Sequence, residues 1–179
     1  MLKKYSMLII LVVGFMVFAA AGEIVAAERM FTFEPGERLV YRAKWFFIPA
    51  GEAVIEALRG ASFNGKAAHR FVMTTSTNPQ IDFFYKIRER QESFTDIHVT
   101  RSLQYRRKST GDYPRETVVS FDWTRMTATY NNFGQPEKPV VIQSGTFDPL
   151  SLIFAIRMHR LIPGDVLEIP VTDGKHVIN

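Results

Sequence analysis

Apolar and polar side chains alternate one by one along several stretches of this chain, and each stretch ends at a set of turn-forming residues. A period of two marks a half-buried β-strand, because successive side chains on a strand point to opposite faces. Arg38 to Phe47 reads RLVYRAKWFF, with Leu39, Tyr41, Ala43 and Trp45 on one face and Arg42 and Lys44 on the other. Pro49, Ala50 and Gly51 are expected to break that strand and turn it into a second run, GEAVIEALRG, as a hairpin. Asn64-Gly65 is a strong hairpin signal, and a strand over 67–75 is expected to follow and to stop at Asn78-Pro79. QIDFFYKIRERQESF (80–94) reads as one short turn and then a strand. Further strands are expected over 98–108, 115–123, 126–130, 139–143 and 165–171, with a loop at 131–136. Asp173-Gly174 promises another hairpin, although only KHVIN follows it.

One helix interrupts this pattern, over about 148–161. Asp148 stands before a proline at the first helical position, where its carboxylate suits the unpaired N–H groups. Leu150, Ile153, Phe154, Arg157 and Leu161 recur at helical spacing, and Leu152 and Ile156 widen the stripe until it nearly encircles the helix. Arg157, His159 and Arg160 suit the C-terminal end of the dipole, and Pro163-Gly164 closes the segment. The fold class is therefore mainly β: an antiparallel curved sheet or open barrel with one apolar helix packed on it.

The first segment reads as an address. Lys3 and Lys4 precede fifteen apolar residues, Met7 to Ala21, fewer than the roughly 20 that span a bilayer as a helix. Val25-Ala26-Ala27 offers small or short side chains for cleavage before Glu28, and a second site lies after Ala21. A cleavable signal peptide over 1–27 and a periplasmic destination are the expectation, with an uncleaved anchor as the alternative. Contact with a membrane is expected only through such an uncleaved leader. Residues 28–179 then form a single β-rich domain. Cleavage leaves 20 Lys and Arg against 17 Asp and Glu, a mild excess that gives no support to nucleic-acid binding. The absence of cysteine excludes a lipoprotein anchor, disulfides, thiolate metal sites and a thiol nucleophile.

Four phrases in order, GERLVYRAKWFFIPAGEA, IDFFYKIRERQESFTD, FDPLSLIFAIR and LIPGDVLEIPVTDGK, resemble the bacterial domain-of-unknown-function family 3108 over roughly residues 34–178. The resemblance implies an exported protein with a β-rich fold and few helices, and it carries over no catalytic residue. It also implies further strands after the Asp173-Gly174-Lys175 turn. This sequence does not contain them, so either the chain is cut short at its C-terminus or its sheet is completed differently.

Catalytic, metal and cofactor motifs are not found. His69, His98, His159 and His176 show no metal-ligand spacing. Asp96 and His98 would share a strand face and could work as an acid–base pair, or they belong to a turn and the surface beyond it. Ser151 lies in the first helical turn, where its hydroxyl is expected to bond locally. No cofactor is expected.

Two residue groups remain. Arg88 and Arg90 alternate on one strand, with Arg106 and Arg107 on its neighbour. They form either a solvated face with cross-strand ion pairs or a patch for an anionic envelope partner. The aromatics Trp45, Phe46, Phe47, Phe83, Phe84, Tyr85, Phe121, Trp123 and Phe154 exceed what a minimal core needs. Most are expected in the core, and one of each Phe-Phe pair must be covered by the helix, a second layer, a ligand or a partner. Trp45, Phe47, Phe84, Tyr85 and Trp123 are the candidate contacts for a lipid or other apolar ligand. Three functions follow: a non-enzymatic periplasmic binder of a hydrophobic or amphiphilic ligand, an envelope module contacting a protein or polysaccharide, and a hydrolase of an envelope polymer.

Overall fold

The computed structural model describes residues 33–178. The signal peptide expected over 1–27, with its cleavage point after Ala27, lies outside them. The strands are β1 Arg38–Trp45, β2 Ile48–Leu58, β3 Ser62–Phe63, β4 Lys66–Thr77, β5 Arg88–Asp96, β6 Ser102–Ser109, β7 Arg115–Asp122, β8 Thr127–Asn132, β9 Gln135–Pro136, β10 Val140–Val141, β11 Val171–Thr172 and β12 Val177–Ile178. The helices are a single turn, α1, Pro79–Asp82, and α2, Pro149–Arg157. One antiparallel sheet runs in the order β1-β2-β4-β5-β6-β7-β8-β10, with β3 on β4 and β9 on β8. It does not close: β1 and β10 are its edges. The fold is thus mainly β, an open antiparallel sheet carrying one substantial helix.

The turn chemistry acts largely as read. Asn64 and Gly65 take positive φ (49° and 76°) between β3 and β4, as a tight hairpin requires. Elsewhere the turns differ from expectation. The first hairpin turns at Phe46 (φ 52°) and Phe47, and Pro49–Gly51 lie inside β2. Pro49 is tolerated because β2 pairs with β4 only from Gly51 onward, and because the β1–β2 register shifts at Lys44. Gly51 is needed there: a Cβ on it would stand 2.5 Å from the Ser76 carbonyl oxygen. The strand expected from His98 begins at Ser102, because Asp96 captures the Thr100 N–H (2.7 Å) and hydroxyl and bends Ile97–Arg101 into a turn. The expected loop at 131–136 is a hairpin turning at Phe133 and Gly134. No strand forms over 165–170: Ile162 and Asp165 close a local turn on each other, and only Val171–Thr172 pairs with β12.

α2 is shorter than expected. Its end tightens as the Met158 and His159 N–H groups donate to Ala155 and Ile156 carbonyls (3.0 and 3.1 Å). Leu150, Ser151, Phe154 and Ala155 are buried, whereas Ile156 and Leu161 are exposed, so the buried face is narrower than the apolar stripe. Phe154 stacks on Phe71 of β4 at 3.8 Å between ring centroids, and Phe33 meets both rings edge-on. These three rings, with Leu150, Val119, Tyr105 and Phe147, are the centre of the core. Arg157 clamps the far end of α2 to Glu37 through two bonds of 2.6 and 3.0 Å. The Arg157 hydrogen bond outweighs burial and holds the Glu37 carboxyl below its ordinary value.

Candidate functional site

Cross-strand register sorts the side chains by face, since paired residues project to the same side. The row Ala57, Phe71, Ser93, Tyr105, Val119, Tyr130 lies on the face that carries α2. Two residues further along come Ile55, Met73, Gln91, Arg107, Thr117 and Asn132. Beyond those come Ala53, Thr75, Glu89, Ser109 and Arg115. The first row is apolar apart from its hydroxyls and lies largely under α2. The later rows change character across the sheet, apolar at Ile55, Ala53 and Met73 and polar or charged from β5 onward.

The N-terminus of α2 is fixed on this face by a buried carboxylate. Asp148 accepts from Ser93 (2.5 Å), Ser102 (2.6 Å) and Ser151 (2.7 Å) hydroxyls, and from the backbone N–H groups of Leu150 (2.9 Å) and Ser151 (3.0 Å). Its own N–H donates to Ser102 Oγ at 2.8 Å. The cap was legible in the sequence; its two partners on β5 and β6 were not, because only the fold brings them 46 to 55 residues back along the chain. Five donors satisfy the charge without a counter-ion, which makes this a structural anchor.

Away from α2 the same face is hollowed over β5 to β8 among the described residues. A hollow of about 460 Å³ is lined by Tyr85, Lys86, Glu89, Arg107, Tyr113 and Arg115 among others. A second, of about 490 Å³, is lined by Gln91, Tyr105, Arg107, Arg115, Thr117 and Tyr130 among others, and reaches Asp173 and Lys175. Arg107 and Arg115 belong to both. Arg107 bonds Glu89 at 2.7 Å; burial works against its charge, but the Glu89 carboxylate outweighs it and raises the pKa. Burial, assisted by the negative Asp148, pushes the Tyr105 phenol well above its ordinary value, so it remains a neutral donor to Gln91 at 2.9 Å. The Asp173-Gly174 turn forms one wall. A Cβ on Gly174 would stand 3.0 Å from Val119 and Tyr130 side chains, and Lys175 lies 4.2 Å from the Tyr130 ring while pairing with Glu137.

The residues singled out from sequence separate into three places. Arg88, Arg90 and Arg106 lie on the face opposite Arg107. There Arg88 is bound to Asp82 and Thr77, Arg106 to Gln104, and the face carries cross-strand pairs such as Arg38–Glu56, Arg70–Glu92 and Lys108–Glu116. Phe47, Phe84 and Tyr85 sit on hairpin tips at one end of the sheet. Trp123 sits at the other end, donating to the Ser102 carbonyl (2.8 Å) with Phe121 stacked on it and Arg101 over its ring. Trp45 ends β1, and its side chain lies outside what the structure describes. The expectation that one of each Phe-Phe pair is covered holds for neither: Phe46 and Phe47 are 86% and 87% exposed, Phe83 and Phe84 86% and 79%; both pairs lie in turns, where strand alternation does not apply. Of the nine aromatics expected mostly in the core, Phe154 is buried there and Phe121 and Trp123 pack against it, while Phe46, Phe47, Phe83, Phe84 and Tyr85 are exposed; Phe33, Phe71, Phe147 and Tyr105, which stand singly in the sequence, supply the rest of the core.

Asp96 serves the turn described above and pairs with Arg101, while His98 and His159 line a separate hollow of about 420 Å³ near Phe147. Among the described residues no group of three or more His, Asp or Glu is placed to hold a metal, and no helix is long and apolar enough to cross a membrane.

The Asp148 cap falls within the FDPLSLIFAIR phrase and the β11–β12 turn within the DGK phrase. The model of the family described as "Protein of unknown function (DUF3108)" matches residues 40–179. The chain belongs to the DUF3108 family. No curated protein and no solved structure matches it. For this DUF3108 chain, the FDPLSLIFAIR phrase supplies the Asp148 anchor and α2, and the DGK phrase supplies the wall over Val119 and Tyr130.

Proposed function

We propose that this chain is an exported periplasmic protein that binds an amphiphilic envelope molecule and catalyses no reaction. One observation carries the reading: the helix-bearing face holds, beyond α2, two hollows that share Arg107 and Arg115, with Met73 of β4 beside the lining residue Gln91 in register. An acyl chain lies along the half-buried Met73 and Ala53, and an anionic or polar head reaches Arg107, Arg115 and Gln91. The mild positive charge of the domain favours the anionic head. Partner contact through Arg88 and Arg106 receives less support, because both lie outside the two hollows and are engaged within the chain, whereas Arg107 lines both hollows and, although bonded to Glu89, leaves its Nε without a partner.

Native mass spectrometry of the protein purified from its own periplasm, with solvent extraction of the same sample, tests this. A discrete bound mass that extracts into organic solvent, and is reduced by Arg107→Glu, is the expected result. A bare mass in a folded sample contradicts it.

A further inference from the structure

The antiparallel order puts the turns β1–β2, β4–β5, β6–β7 and β8–β9 at one end of the sheet, and β2–β4, β5–β6 and β7–β8 at the other. Exposed aromatic rings collect at the first end. Phe47 is 87% exposed on the first tip, Phe83 and Phe84 on the second, Tyr113 70% on the third and Phe133 58% on the fourth. At the other end Trp123 is packed against the core and Val99 is buried.

These rings stand on a stiff platform. The Asn78 N–H and side-chain amide donate to Ala50 and Pro49 carbonyls (3.0 and 3.1 Å), tying the second tip to the first. The Lys86 N–H donates to Asp112 at 2.8 Å and the Asp112 N–H to the Lys86 carbonyl at 3.1 Å, tying the second to the third. Gly111 allows that approach: a Cβ there would stand 2.1 Å from the Lys86 carbonyl oxygen. The Tyr85 and Tyr113 rings meet across the join at 5.8 Å. The backbones of the first three tips are therefore held to one another, and the rings project from a fixed edge.

Lys44, Lys86 and Arg115 flank the rings, and none of the ion pairs among the described residues includes them. The acids nearby are Asp82, bound to Arg88, Asp112, which accepts the Lys86 N–H, and Glu89, bound to Arg107. We infer that this end of the sheet docks on an anionic lipid bilayer, with Phe47, Phe84, Tyr113 and Phe133 in the headgroup region and Lys44, Lys86 and Arg115 against lipid phosphates. Aromatic rings favour that interface because it is apolar on one side and wet on the other. Basic groups beside shallowly inserted apolar ones are the usual electrostatic complement of anionic lipid. A second copy would set these cations against one another, and an acidic protein partner, which would match them, predicts no response to vesicles alone. This docking does not require a ligand in the hollows, so each claim can fail alone.

The chain has no cysteine, so a single introduced one gives a unique labelling site. An environment-sensitive fluorophore is attached to Phe84→Cys or Phe47→Cys at the proposed contact, and to Ile97→Cys at the opposite end. With vesicles of phosphatidylethanolamine and phosphatidylglycerol, the first two labels are expected to shift to the blue and brighten several-fold, with Ile97→Cys unchanged. Both ends belong to one chain, so the contrast reads orientation whether or not the leader has been removed. Lys44→Glu with Lys86→Glu is expected to weaken the response several-fold, and vesicles of phosphatidylcholine alone to give little. A response equal at both ends, equal on neutral vesicles, or driven by protein concentration without vesicles overturns the inference. So does the absence of any response in chains that melt like the parent.

Discussion

The two parts of the helix-bearing face are built from the same strands and differ in what is done with their polar groups. Under α2, every buried polar group of the Asp148 cluster is matched: one carboxylate, three serine hydroxyls and two N–H groups close on each other around stacked Phe71 and Phe154. Beyond α2, Arg107, Arg115, Gln91 and Thr117 line open hollows, and the rings at the tips are bare. Burial with complete pairing gives stability; the hollow side is paired only in part, Arg107 with Glu89 and Gln91 with Tyr105 while Arg107 Nε has no partner, and that leaves capacity to bind. Substitutions should therefore cost stability on the first side and binding on the second.

The largest effect is expected from Phe71→Ala. Both its large ring and its stack on Phe154 lie at the centre of the core, and equilibrium urea unfolding should show a loss of about 4 kcal/mol. Asp148→Ala strands buried hydroxyl and N–H donors and should cost about 3 kcal/mol; Asp148→Asn, which keeps part of the acceptor capacity, should cost less. Glu37→Gln breaks the clamp on the end of α2 and should cost about 1 kcal/mol. Because the folded pKa of Glu37 is depressed, the clamp contributes above the unfolded value near 4.5 and is lost as pH falls through the folded value. The variant should therefore show a shallower loss of stability with acid than the parent, measured as unfolding midpoint against pH. Phe84→Ser, on the bare side, should change stability by less than about 0.5 kcal/mol, and a larger loss would place that ring in the fold's own packing.

The sequence made the Asp148-Pro149 start of α2, the Asn64-Gly65 hairpin and the stop at Asn78-Pro79 readable, because each is a local backbone device with its residue types in plain order. The Phe46-Phe47 turn was not readable: two aromatics look like strand, and Pro49 looks like a break until the short reach of β4 is known. Nor was the division of the arginines. Arg106 and Arg107 are neighbours in sequence and therefore opposite in space, and only the register shows that Arg107, with Glu89, is the one on the helix-bearing face. The aromatic excess was visible as composition, but its collection at one end depends on which turns share an end, which is a property of topology.

Strand alternation also supplies the most direct test of amphiphile binding on the hollowed face. Methyl resonances of Met73 and Thr117, which point to that face, can be followed against those of their chain neighbours Val72 and Val118, which point away, during titration with a soluble lysophospholipid. Binding on the helix-bearing face should move Met73 and Thr117 in a saturable way and leave Val72 and Val118 nearly still. Equal movement of both sets, or movement of Val72 and Val118 alone, would contradict it.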